Sequence, residues 1–171
     1  MQPSEIRTLY AYNTWANNRI LDTAVRLSPD QLLAHVGVSF PSVLATLAHT
    51  IGTQALYLAR CRDDMPIISL DVGQFSDLAT LHAAWARVDD ETHRFVWTLD
   101  EADLGRVIMY VNEGGTWRYP MWQILTHQVN HATQHRSEAA VMLTQFGHSP
   151  GWLDFLIYID GQQADFTRAS S

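Results

Sequence analysis

The chain has 171 residues, enough for one domain with an unaided hydrophobic core, and a formal net charge of −7. All eleven basic side chains are arginines, so there is no Schiff-base or phosphate-loop lysine, and the acidic balance gives no broad electrostatic footprint for nucleic acid. A single cysteine, Cys61, excludes a disulfide framework and a cysteine-built metal site, and 47% hydrophobic against 17% charged residues reads as globular.

The elements follow in chain order. A first helix is predicted from an N-cap at Ser4 to about Leu27, with Ile6, Leu9, Asn13, Ala16, Ile20, Ala24 and Leu27 on one face. Asn13 and Asn17 interrupt that apolar stripe one turn apart. The second helix starts near Pro41 and runs through Leu44, Leu47, Ile51 and Leu56 to about Arg60. Cys61 to Phe75, with Pro66, Gly73 and several aspartates, reads as a loop. The third helix opens at a Ser76 cap and buries Leu78, Leu81, Trp85, Val88, Phe95 and Leu99. Val107–Val111 and Thr116–Tyr119 flank Asn-Glu-Gly-Gly, the signal of a short hairpin that must lean on the helices. The fourth helix spans Pro120 to a capping Gly147, and a short helix folds back after Ser149. No linker divides the chain. The expectation is an all-α four-helix bundle over residues 1–171, with a hairpin between helices three and four and a short C-terminal helix.

No apolar run approaches the roughly 18 residues of a membrane span. Polar residues from Glu5 to Arg26 leave no signal-peptide stretch either, so a cytoplasmic location without a membrane partner is expected.

Eight histidines make histidine the place to look for chemistry. His127, His131 and His135 recur every four residues on the fourth helix, so neighbours share a face. An i, i+4 pair can present two imidazole nitrogens to one ion, and Ile124, Ala139 and Met142 extend the stripe toward the interior. The outer two lie about 12 Å apart along the axis, so one adjacent pair binds and the third lines the pocket. Spacing alone secures only His131. His49, among the small residues Ala45, Thr46, Gly52 and Thr53, is the candidate ligand from another helix. His35 and His148 fall in loops, and His82 and His93 read as solvated helix surface. There is no Glu-x-x-His di-iron motif, His127 is followed by Gln128 and so lacks the zincin glutamate, and no Gly-x-Ser-x-Gly elbow occurs. Cys61 carries no sign of activation.

Tyr10-x-x-Asn13-x-Trp15-Ala-Asn17, Ser42 through His49, and His127-x-x-Asn130-His131-x-x-x-His135-Arg136 followed by Leu143 and Gly147 resemble the DinB/YfiT-like superfamily over nearly the whole chain. The resemblance implies a four-helix bundle, often dimeric, with one divalent metal on a histidine triad. It further implies a thiol-dependent transferase or isomerase that uses a low-molecular-weight thiol on a small-molecule substrate. Its register places the ligands at His49, His131 and His135 and leaves His127 as pocket lining. The family's usual His-Arg-Gly-Gln reads His135-Arg136-Ser137-Glu138 here, so Glu138 could orient His135 or replace a polar pocket group.

Three neutral imidazoles leave an open coordination position, the pattern of a catalytic site, where a bound thiol or water would become more acidic. The expected ion is zinc, with nickel as the alternative. Metal-dependent hydrolysis and a non-enzymatic metal-binding or stress-response module are the rival functions. Asn13 and Asn17 would orient substrate or a ligating histidine, or join helices by hydrogen bonds. Trp15, Trp117, Tyr119 and Trp122 would wall the pocket, or belong to the core or a dimer interface.

Overall fold

The computed structural model describes residues 1–36, 39–64 and 72–169. Among these described residues seven α-helices and one hairpin follow in the order α1 (Pro3–Ala24), α2 (Pro29–Leu33), α3 (Val43–Arg62), α4 (Leu78–Thr98), α5 (Glu101–Gly105), β1 (Val107–Asn112), β2 (Gly115–Pro120), α6 (Met121–Gln145) and α7 (Phe155–Ala169), with a 3₁₀ turn at Val72–Gln74. The four long helices form the bundle: α6 packs on α1 and α3, and α4 packs on the same two from the other side. The fold is all-α with a two-stranded antiparallel appendage, as the periodicity predicts.

Helix ends depart from the sequence expectations where capping chemistry overrides composition. Helix α1 begins at Pro3 and ends at Ala24, because Glu5 accepts the backbone N–H of Gln2 at 2.6 Å and makes Gln2, not Ser4, the cap. Ser42 caps α3 through the Ala45 N–H at 3.2 Å, so the helix starts after Pro41. It runs on through Cys61 and Arg62 to Asp63, whose φ of 56° ends it. Asp77, not Ser76, caps α4, since its carboxylate both accepts the Thr80 N–H at 2.8 Å and faces the positive helix end. Ser28-Pro29-Asp30 is not merely a break, because a Ser28/Gln31 capping box winds one turn there. The loop expected over Cys61–Phe75 falls partly outside the described residues. Helix α6 ends in a Schellman pair, with Gly147 N–H on the Thr144 carbonyl and His148 N–H on Leu143, each at 2.9 Å. That pair needs a left-handed residue, and Gly147 supplies it at φ 84°. The C-terminal helix is longer than the short one expected, at fifteen residues. Among the described residues no helix is long and apolar enough to cross a membrane.

The hairpin pairs Val107 with Pro120 through Asn112 with Gly115. It leans on α3 and α6, with Ile108 fully buried, and Met121 N–H bonds to the Arg106 carbonyl at 2.8 Å.

Two apolar clusters fill the bundle, one around Ile20, Leu47, Ile51, Leu81 and Leu143 and one around Ile6, Tyr10, Leu104, Ile108 and Leu125. Between them lies a buried polar layer to which all four long helices contribute. Arg136 of α6 donates to the side-chain oxygens of Asn13 and Asn17 on α1, and to Thr133 at 2.7 Å. Asn13 and Gln128 both donate to the Gln54 carbonyl oxygen, and Gln54 donates to Asp89 and Thr92 of α4 at 3.2 Å each. Arg136 is 3% exposed and is satisfied by neutral acceptors and the Tyr12 ring, 5.3 Å away. Removing its fork leaves two buried carbonyl oxygens unpaired, at about 1–3 kcal/mol each. Arg136→Met should therefore lower unfolding free energy in urea by about 2–4 kcal/mol, whereas Arg94→Ala, on the exposed Arg94–Asp90 pair, should cost under about 0.5 kcal/mol. Equal small losses would show that the layer does not hold the bundle together.

Candidate metal centre

His49 lies in mid-α3, and His131 and His135 lie one turn apart on α6. Because α3 and α6 run antiparallel and pack directly, all three rings meet at one level of the bundle. The His131 Nε2 is 3.2 Å from the Nε2 of His49 and 3.2 Å from that of His135. The three ligand atoms all lie within 4.8 Å of one another, and no carboxylate or thiol joins the cluster among the described residues. His135 is buried and the other two are half-buried.

The surroundings hold each ring. Glu138 sits one turn beyond His135; its Oε2 lies 3.0 Å from His135 Nδ1, and its Oε1 accepts the Ser39 hydroxyl at 2.6 Å. Burial alone would raise the Glu138 carboxyl, but the hydrogen bonds from Ser39 and His135 outweigh it and hold the group below the usual carboxylate range. A carboxylate only accepts, so the proton of neutral His135 resides on Nδ1 and its Nε2 presents a lone pair to the cluster. Phe40 stacks on His49 at 4.1 Å and meets His135 edge-on at 5.4 Å, closing one side of the site with a ring.

Electrostatics favour the unprotonated form of His131 and His49. Desolvation first, then the neighbouring His135, His49 and His127, lowers His131 to about 4 against the opposing charge of Glu138. Desolvation and His135 lower His49 in the same direction. Folding thus holds these nitrogens as lone-pair donors, the form a metal requires.

The contacts also test whether an ion fits. With a lone pair on His135 Nε2, the contact to His131 needs the proton of His131. That one proton cannot also serve His49. A cation satisfies all three nitrogens at once. The 3.2 Å separations bring the His131 nitrogen close enough to each of the other two for the three residues to hold one ion between them. The residues therefore fit a divalent ion.

The remaining candidates distribute as follows. His127 is one turn before His131, with ring centroids 5.9 Å apart, and it lines a cleft without joining the cluster. Asn13 and Asn17 of α1 accept hydrogen bonds from Arg136 of α6. His35 and His148 lie outside regular elements, and His82 and His93 are exposed on α4. Of the aromatic candidates only Tyr119 lines the cleft; Trp15 packs against Tyr12 and Tyr158, and Trp117 stacks on Tyr119. Trp122 packs against the second apolar cluster. Burial pushes the Cys61 thiol up to about 12, so it is no nucleophile. Four contributors went unassigned in the sequence. Arg136 and Gln54 were readable as polar residues at buried helical positions, but Ser39 and Phe40 precede a helix with no pattern to mark them.

Metal titration by calorimetry checks the geometry. His49→Ala and His135→Ala should each lose stoichiometric zinc binding, while His127→Ala and His82→Ala retain it. Glu138→Gln should weaken binding about tenfold or more through the lost hold on His135. Retention of full affinity by His49→Ala would contradict a site shared between α3 and α6.

The sequence model described as "DinB family" matches residues 1–167. "Protein DinB" of Bacillus subtilis (strain 168) is 22% identical over 157 residues, covering 88% of this chain and 91% of the relative. The helical fold with its hairpin before the fourth bundle helix agrees with that match, and the chain belongs to the DinB family.

Proposed function

We propose that the chain is a divalent-metal-dependent transferase or isomerase in which a low-molecular-weight thiol attacks a small electrophile at the histidine cluster. The observation that carries this reading is the convergence of three imidazole Nε2 atoms from two helices with no fourth protein ligand among the described residues. A structural ion would be closed off by a fourth side chain; three ligands leave room for an exchangeable one. A zinc ion held there, or nickel on the same imidazoles, supplies a positive centre that makes a thiol presented to it more acidic.

The chain's own groups do the rest. Glu138, fixed by Ser39, holds the proton of His135 on Nδ1 and so aims Nε2. Phe40 excludes water from the flank of His49 and His135. His127 and the cleft beside it give an organic molecule a place next to the cluster. Among the described residues no thiol or carboxylate joins the cluster, and the nearby hydroxyls of Ser39 and Thr53 are ordinary alcohols, which favours a thiol brought in by a cosubstrate. Cys61, the single thiol of the chain, is buried in the second apolar cluster.

Turnover assays on untagged, zinc-loaded protein test the reading, with several low-molecular-weight thiols offered in turn alongside monobromobimane as electrophile. Product formation should require both a thiol and the metal, and fall to background in His135→Ala. Turnover that survives chelation would overturn the proposal. Release of product by water alone, without a thiol, would favour the hydrolase reading instead.

A further inference from the structure

A cleft of about 370 Å³ opens between α3, α6 and the hairpin, lined by Tyr57, Tyr110, Tyr119, Gln123, Ile124 and His127. That volume is within the range of small-molecule sites, roughly 300–1,000 Å³. Its axis follows from the antiparallel packing. Positions 49, 53, 57 and 60 climb one face of α3 while 135, 131, 127 and 123 descend α6. The histidine cluster lies at one end, with Thr53 Oγ 3.5 Å from His49 Nε2 on the next turn. Tyr57 then meets His127 edge-on at 5.3 Å, the wall between cluster and cleft.

One turn further along α3, outside the lining but packed against two of its tyrosines, stands Arg60. Its guanidinium lies 3.8 Å from the centre of the Tyr110 ring and 5.1 Å from that of Tyr57. Among the described residues no carboxylate pairs with it, and its Nε is buried without a hydrogen-bond partner. The other arginines of this region behave differently: Arg62 pairs with Asp64, and Arg106 pairs with Asp63. The cleft thus has flat aromatic walls, with a cation unpaired among the described residues packed against two of them and the imidazole cluster beyond His127. A stacked guanidinium still has hydrogen-bond donors free along its edge.

We propose that this cleft seats the organic substrate, a flat, conjugated carboxylic acid whose rings or double bonds lie against Tyr57, Tyr110 and Tyr119. Its carboxylate pairs with Arg60, and its opposite end points past His127 toward the cluster. The assignment of that end rests on the metal-dependent reading above; the acid-binding assignment stands on the cleft alone.

Fluorine NMR with 4-fluorocinnamate tests both, since the fluorine sits at the end opposite the carboxylate. Zinc-loaded protein should bind it about tenfold more tightly than the neutral 4-fluorocinnamamide, the worth of one charge-assisted hydrogen bond. Arg60→Gln should bring the acid down to the amide's affinity and leave the amide unchanged. Replacing zinc by cobalt(II) should displace the bound fluorine resonance of the acid. Equal affinities for acid and amide, acid binding indifferent to Arg60→Gln, or no binding of either probe would overturn the cleft assignment. An undisplaced fluorine signal with cobalt retained would overturn the orientation. If the acid binds with its dependence on Arg60 but the protein retains no cobalt, the cleft assignment stands and the metal-dependent reading fails. If cobalt is retained and neither probe binds, the reverse holds.

Discussion

Everything in this molecule's candidate chemistry depends on one longitudinal register between α3 and α6. The three imidazole nitrogens meet only because position 49 of one helix lies level with 131 and 135 of the other. Apolar packing alone specifies such a register weakly, since Leu, Ile and Ala faces can slide by a turn at modest cost. A buried guanidinium cannot. Arg136, the residue after His135, has its acceptors on α1 and α6, and a slip would leave it and the carbonyls of Asn13 and Asn17 unpaired in the core. Gln54 ties α3 into the same layer through Asn13 and Gln128. The layer that looks like an interruption of the core therefore locks the helices that carry the histidines.

From that layer the functional side of the bundle grades outward. His135 is buried, aimed by Glu138 and flanked by Phe40. His131 and His49 are half-buried, and burial first and then the neighbouring His135 favour the neutral form of both. His127 is exposed and belongs to the cleft. Three histidines at identical spacing thus acquire three environments, because each step of four residues also advances about 40° around the helix and moves along the packed face.

Much of this was legible before the structure. The four bundle helices, the hairpin and the capping role of Gly147 all follow from periodicity and turn chemistry, because each is a local signal repeated over several residues. The gathering of His49 with His131 was legible from small residues around a histidine on one helix facing a histidine stripe on another. The choice between His127 and His135 was not fixed by spacing, which treats them alike; family register pointed to His135, and the geometry brings that ring into the cluster. The true caps at Gln2 and Asp77 escaped because a serine lies within two residues of each, and which side chain reaches the backbone depends on local geometry. Asn13 and Asn17 were seen as inward and polar, but their partner Arg136 lies more than a hundred residues away. Ser39 and Phe40 are set by tertiary contact alone, and no periodic pattern announces them.

The central claim is that two helices share one metal site through three imidazoles. X-ray absorption at the zinc edge of the loaded protein measures this most directly, because imidazole rings give outer-shell scattering that can be counted. A first shell of nitrogen or oxygen at about 2.0–2.1 Å with three imidazoles is expected, reduced to two at forced high zinc in His49→Ala. A sulfur shell in the protein without added thiol, or an imidazole count unchanged by loss of His49, would contradict it.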